Sequence, residues 1–182
     1  MEIEEFVGLS KGVWRSMRSG HSLAFKQFEQ IISKITISTL DKDDEEVLAL
    51  LESKYNLGET YKAPFKVEWK VEEDWDTDDE SLSKEGFSIL IPFPKDTNSG
   101  YLLRSTGYIE PRQSLSEYIF LNDGTFKLQT NYEKTIAEER IWFLSKNVRC
   151  RSSVVYTENK IGVIQTSYSS ELKLWASKDE NN

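Results

Sequence analysis

The chain has 182 residues and a net charge of -8, with 31 acidic against 23 basic residues. An acidic surface repels phosphate backbones and anionic lipid, so we expect neither nucleic-acid nor membrane binding. The sequence holds one cysteine, Cys150, and one histidine, His21. These counts exclude an internal disulfide and a multi-histidine zinc site, and we expect no metal centre. The acidic N-terminus lacks the features of a signal peptide, which favours a cytoplasmic protein.

The first third of the chain predicts two helices and two strands. A short helix is expected over 2–9 and strands over 12–18 and 31–40, the latter rich in β-branched residues. The segment 43–55 predicts the main helix, because four acidic residues occupy its first turn, where the helix dipole favours negative charge. Its expected apolar face consists of Val47, Leu48, Leu51 and Tyr55.

From residue 62 onward the pattern predicts a succession of short strands. They are expected over 63–72, 86–92, 100–110, 116–121, 126–132, 137–144, 148–156 and 162–175. Regular short strands with a single long helix are typical of an antiparallel sandwich or a closed barrel. We expect one domain over 1–176, a loop or lid over the acidic segment 72–85, and a disordered tail over 177–182.

Charged side chains alternate along three of the last strands. Arg149, Arg151 and Ser153 share one face of their strand, and Glu139 and Glu171 lie on neighbouring strands. Two interpretations stay open. The charges can face water as ordinary cross-strand ion pairs. They can instead line a barrel interior, where arginines would clamp the carboxylates of a large, flat, anionic ligand and aromatic rings would stack on it.

Six motifs occur in order along nearly the whole chain, and no common nucleotide-binding or hydrolase motif accompanies them. They are GVWRSMRSGH (12–21), WKVEEDW (69–75), GYLLRSTGYIE (100–110), ERIWF (139–143), NVRCRSS (147–153) and SEL (170–172). Together they resemble the S/U-type phycobiliprotein lyases, the CpcS/CpeS family.

The resemblance implies an all-β, lipocalin-like (calycin) antiparallel barrel with one main helix and a short N-terminal helix. Such a lyase binds a free open-chain tetrapyrrole, a bilin, as substrate rather than as a tightly bound cofactor. It transfers the bilin to a cysteine of a phycobiliprotein subunit and forms a thioether. The implied partners are that subunit, a bilin reductase as donor and a second copy of the chain in a homodimer. The implied location is the cytoplasm of a cyanobacterial-type cell or a plastid stroma.

The matching motif positions imply the residues of the bilin site. These are Arg18, Trp69, Trp75, Glu139, Arg149, Ser153 and Glu171. Arg151 joins Arg18 and Arg149 as a candidate partner for the two propionates. Glu139 or Glu171 would bond the pyrrole N–H groups and favour the protonated pigment, and Glu139 and Arg149 are assigned as catalytic.

Some positions depart from the family pattern and bear on which bilin is bound. Met17 stands where the family often has Gln, Ser22 stands where a second His is common, and a Cys often found around 50–52 is missing. We expect phycoerythrobilin over phycocyanobilin. Cys150 alternates with the arginines and is expected to face away from the site. Two alternatives remain: a carrier of bilin, haem or fatty acid without transfer, and a non-catalytic assembly factor.

Overall fold

The computed structural model describes residues 1–52, 55, 57, 60–74, 85–106 and 112–174. Within these ranges the chain forms ten strands and two helices. The helices are α1 (Ile3–Ser10) and α2 (Glu45–Leu51). The strands are β1 (Gly12–Ser22), β2 (Gln27–Thr39), β3 (Phe65–Asp74), β4 (Glu85–Pro94), β5 (Ser99–Arg104), β6 (Ser114–Phe120), β7 (Phe126–Asn131), β8 (Thr135–Ser145), β9 (Val148–Thr157) and β10 (Val163–Lys173).

The ten strands close into one antiparallel barrel. Each strand pairs with the next along the chain, and β1 pairs with β10 to close the ring. Closure leaves no unpaired strand edge, which removes the usual site of edge-to-edge aggregation. The predicted lipocalin-like antiparallel barrel is confirmed. Neither helix of the described ranges has the length and apolar character needed to cross a bilayer.

Helix α1 fills one end of the barrel. Its apolar face buries Ile3, Phe6 and Val7, and the ring of Phe6 stacks on Phe126 with centroids 4.2 Å apart. Trp14, fully buried at the start of β1, donates from Nε1 to the Ser10 carbonyl oxygen at 2.8 Å. This end is therefore closed by an apolar core. We call the opposite end, where the β1–β2, β5–β6, β7–β8 and β9–β10 connections lie, the mouth.

Helix α2 packs on the outside of the barrel and is shorter than predicted. It begins after Asp44, whose extended backbone lets its carboxylate accept from the backbone N–H of Glu46 at 3.0 Å, and it ends at Leu51. It buries Val47 and Leu50 against the outer faces of β4 and β5, whereas Leu48 is exposed. The predicted face was wrong at Leu48, because the side of the helix that meets the barrel is the one that Val47 and Leu50 share, and Leu48 lies outside it.

Several strand boundaries also differ from the prediction. β1 extends past 18 to Ser22, and β2 begins at Gln27 rather than at 31, because the pairing of the two strands continues to the register pair Ser22–Gln27 beside the connection 23–26. β5 ends at Arg104, short of the predicted 110. β10 is a single strand over Val163–Lys173, with a register shift between Val163 and Gln165. Trp75, most of the predicted lid and the tail 177–182 lie outside the described residues.

Candidate functional site

The interior of the barrel toward the mouth holds a cluster of charged side chains. The register places Glu139 of β8 opposite Ser153 of β9, and Arg149 of β9 opposite Glu171 of β10. Glu139 and Glu171 are each 1 % exposed and Arg149 is 5 % exposed. The interpretation in which these charges face water is therefore wrong: the residues form ion pairs between strands, and they line the interior of the barrel.

Glu139 sits between two guanidinium groups. Arg104 of β5 donates from Nη2 to Oε1 of Glu139 at 2.7 Å, and Arg151 donates from Nη2 to Oε2. Burial by itself would raise the pKa of Glu139, but the charges and hydrogen bonds of the two arginines outweigh it and hold that pKa below its usual range. The carboxylate is thus ionised at neutral pH inside the barrel.

A second buried pair lies nearer the apolar end. Arg149 donates from Nε to Oε2 of Glu171, and Ser16 donates from Oγ to Oε1 of Glu171 at 3.4 Å. The Arg149 guanidinium also lies over the Trp14 ring, 4.6 Å from its centroid. Burial lowers the pKa of Arg149 and Glu171 opposes that shift. This pair joins the charged cluster to the apolar core at the α1 end.

Arg18 occupies a more open position toward the mouth. Its Nη2 donates to Oε1 of Glu29 on β2 at 2.6 Å, and both side chains are part-buried. Arg151 is likewise more open than Arg149, with 29 % of its side chain exposed. Beside it, the hydroxyls of Ser153 and Ser167 share a hydrogen bond of 2.7 Å. Exposure of the charged groups therefore increases toward the mouth, from Arg149 to Arg18 and Arg151.

Trp69 lies on the interior face of β3 against a glycine of β4. Trp69 and Gly86 are register partners, and a Cβ on Gly86 would lie 2.6 Å from Cζ2 of the indole. The ring occupies the space that any larger residue at position 86 would need. The other predicted tryptophan, Trp75, falls outside the described residues.

Replacing Gly86 by Ala is expected to lower the free energy of unfolding by about 1–3 kcal/mol, because the Trp69 ring must shift from its packed position. Urea denaturation of the purified variant measures this. Gly8→Ala in α1 is the control. Its Cβ would meet nothing within 4 Å, and alanine stabilises a helix by about 0.5–1 kcal/mol over glycine. Equal urea midpoints for Gly86→Ala and the wild type would contradict the assigned ring position.

Cys150 and His21 point away from the interior. Cys150 lies under the outer face, where the hydroxyl of Tyr168 donates to its Sγ at 3.2 Å. That hydrogen bond raises the pKa of Tyr168. His21 is exposed and its ring lies 4.9 Å from that of Phe28. Alternation along β9 predicts that Cys150 faces away from the arginines, and the structure has this orientation.

Two charged residues of the cluster escaped the sequence prediction. Arg104 lies in the GYLLRSTGYIE motif, but its neighbour Leu103 is also buried, beneath α2, so β5 shows no polar–apolar alternation that would mark an inner face. Glu29 precedes the predicted start of its strand at 31. Motif membership was the available signal for Arg104, and an earlier strand start would have placed Glu29 beside Arg18.

Comparison with known proteins gives a consistent result at the levels of family, sequence and fold. A family model described as CpeS-like protein matches residues 2–174. The chain belongs to the CpeS-like family. The predicted resemblance to the CpcS/CpeS lyases is thereby confirmed.

Relatives of this family member cover most of its length. A Trichodesmium erythraeum (strain IMS101) protein named chromophore lyase CpcS/CpeS 3 is 46 % identical over 175 residues, which are 95 % of this chain and 99 % of the relative. A Microchaete diplosiphon protein named putative phycoerythrobilin lyase CpeS is 42 % identical over 151 residues, 82 % of this chain and 66 % of the relative. The solved structure of the S-type phycobiliprotein lyase CPES from Guillardia theta superimposes with a TM-score of 0.80 at 34 % identity, covering 97 % and 95 % of the two chains.

Proposed function

We propose that this chain, a chromophore lyase of the CpeS-like family, binds a free bilin inside its barrel and transfers it to a cysteine of a phycobiliprotein subunit. The observation that carries the proposal is the buried carboxylate of Glu139, held between Arg104 and Arg151 in the barrel interior. A conjugated tetrapyrrole with ring N–H donors and two propionates is complementary to such a set of charges.

The arginines nearest the mouth are the proposed partners of the propionates. Arg18 and Arg151 are part-buried, so an incoming carboxylate can approach their guanidinium groups from the mouth, and a guanidinium binds a carboxylate in bidentate geometry. Arg149 already donates from Nε to Glu171, so a propionate would bind its Nη groups or displace Glu171. Ser153, Trp69 and Trp75 complete the proposed contacts, the two tryptophans by stacking on the conjugated rings.

Glu139 is the proposed partner of the pyrrole N–H groups, with Glu171 as the second carboxylate available. A carboxylate ionised at neutral pH favours the protonated bilin, and protonation makes the ethylidene carbon more electrophilic. The acceptor subunit supplies the thiol, which adds across the exocyclic double bond: sulfur bonds the ethylidene carbon and the proton ends on the tetrapyrrole. The lyase contributes position and charge rather than a nucleophile, in keeping with the outward orientation of Cys150.

The setting of the reaction is also a proposal. We propose phycoerythrobilin rather than phycocyanobilin as the bilin, a bilin reductase as its donor, a homodimer as the working assembly, and the cytoplasm or plastid stroma as the location. The Microchaete diplosiphon relative named putative phycoerythrobilin lyase CpeS supports the first of these. The exposed apolar side chains Met17 and Leu172, on the outer faces of the adjacent strands β1 and β10, support the homodimer.

Mixing purified protein, free phycoerythrobilin and an apo-subunit tests the function. We expect a covalent, zinc-fluorescent adduct on the subunit, and no adduct on a subunit whose acceptor cysteine is replaced by serine. Bilin that stays with the barrel without transfer would favour the carrier alternative. An unchanged bilin absorbance on mixing with the protein alone would favour the assembly factor. Phycocyanobilin in a parallel reaction tests the bilin preference.

A further inference from the structure

Three buried side-chain atoms have no hydrogen-bond partner among the described residues. They are Nε of Arg104, Oγ of Ser114 and Oγ of Ser10. Buried polar atoms of folded proteins are nearly always bonded, so each such atom calls for a physical explanation. Two of the three belong to one place: Arg104 of β5 and Ser114 of β6 are register partners on adjacent strands.

Both side chains point into the barrel. Their neighbours Leu103 and Leu115 pack in the outer cluster beneath α2, so alternation turns Arg104 and Ser114 inward. Arg104 is 7 % and Ser114 5 % exposed. Arg104 donates from Nη2 to Oε1 of Glu139, and its Nε–H has no hydrogen-bond partner among the described residues.

The two atoms present a specific chemistry. An arginine Nε–H can only donate, and a serine hydroxyl can rotate to donate, so together they can bind one oxygen that has two lone pairs. A cationic donor favours an oxygen that carries negative or strongly polarised charge. We propose that Arg104 and Ser114 form a subsite for an acceptor oxygen of the bilin, a propionate carboxylate or a lactam carbonyl. This inference rests on the proposed function.

The subsite also gives Arg104 a second task. Its Nη2 would hold Glu139 while its Nε holds the ligand oxygen, so one guanidinium would fix the distance between that oxygen and the carboxylate that faces the pyrrole N–H groups. A bilin anchored in this way has one orientation relative to Glu139. Arg104 is therefore a positioning residue as well as a binding residue.

Ser114→Ala provides the sharpest test. The hydroxyl has no partner in the free protein, so its removal is expected to leave the urea midpoint of the bilin-free protein unchanged or higher. Bilin affinity, followed by absorbance titration, should fall about threefold to tenfold, because the hydrogen bond exists only in the complex. Ser10→Ala is the matched control: its hydroxyl is also buried and unpartnered among the described residues, but lies in α1 at the opposite end, and bilin affinity should not change.

Two further arms identify the oxygen and guard against a misfolded variant. Arg104→Lys keeps a cation beside Glu139 but removes Nε–H, and is expected to weaken bilin binding at least as much as Ser114→Ala. With a bilin esterified at both propionates, loss of the Ser114→Ala effect identifies a propionate oxygen, and persistence identifies a lactam carbonyl. Equal affinity of wild type, Ser114→Ala and Arg104→Lys for the free bilin overturns the subsite while the proposed function stands. Failure of the wild type to bind bilin overturns the proposed function, and the subsite with it.

Discussion

Arg149→Ala is expected to lower the free energy of unfolding by about 3–5 kcal/mol, because it leaves the carboxylate of Glu171 buried without its cation. The residual bond from Ser16 is long, at 3.4 Å, and cannot replace the guanidinium. Truncation also removes the cation that lies over the Trp14 ring. Urea denaturation at neutral pH measures the loss.

The double variant Arg149→Leu/Glu171→Leu distinguishes the effect of an unpaired buried charge from the effect of lost packing. Replacing both members of a buried ion pair by apolar residues is often neutral, so the double variant should recover most of the stability that the single variant loses. A double variant as unstable as Arg149→Ala would mean that packing of the Arg149 stem, and not its charge, explains the loss.

The same double variant tests the prediction that Arg149 binds a propionate of the bilin. If Arg149 binds a propionate, bilin affinity should fall at least tenfold in a variant that still folds. Absorbance titration at constant temperature measures it. Wild-type affinity in the double variant would leave Arg149 a structural role alone and assign the propionates to Arg18 and Arg151.

Glu139→Gln is expected to slow bilin transfer more than it weakens bilin binding. Gln keeps the shape of the side chain but removes the negative charge that favours the protonated bilin, so the bound pigment should absorb further to the blue. The guanidinium groups of Arg104 and Arg151 then lack their shared anion, which favours their binding of propionate. Initial transfer rates and a titration of the same preparation give the two quantities.

Glu138→Gln is the matched control for this prediction. Glu138 is the preceding residue on β8 but lies outside the interior cluster, with Lys127 at 2.9 Å and Arg140 at 2.8 Å. Its replacement should leave the bound spectrum and the transfer rate at wild-type values. A native spectrum and normal transfer in Glu139→Gln would remove Glu139 from the mechanism.

The acid dependence of stability offers a second measurement on Glu139→Gln. The folded protein holds the pKa of Glu139 below its unfolded value of about 4.3, so its stabilising contribution is present above that pH and is lost as pH falls through the folded pKa. The variant should therefore lose less stability than the wild type between neutral pH and pH values below about 4.

Local sequence determined the existence of the strands and which residues share a face. Side chains in a strand alternate, so Arg149, Arg151 and Ser153 had to point one way and Cys150 the other, as the structure shows. The acidic first turn and the spacing of apolar residues likewise located α2, although the burial of Leu50 instead of Leu48 depended on the contact with β4 and β5. The motifs sufficed to recognise the family.

Only the tertiary structure decided which face is the inside and which charges meet. Alternation shows which side chains of one strand share a face, but not which face becomes the interior. The pairing of β1 with β10 decides this, because it closes the barrel and encloses one face of all ten strands. Arg104 reaches Glu139 from β5 to β8 across the interior, a pairing between residues 35 positions apart that no local pattern contains. Arg104 was missed because of another tertiary contact. Helix α2 covers the outer face of β5 and buries Leu103, so β5 lacks the polar outer face that would have marked Arg104 as facing inward.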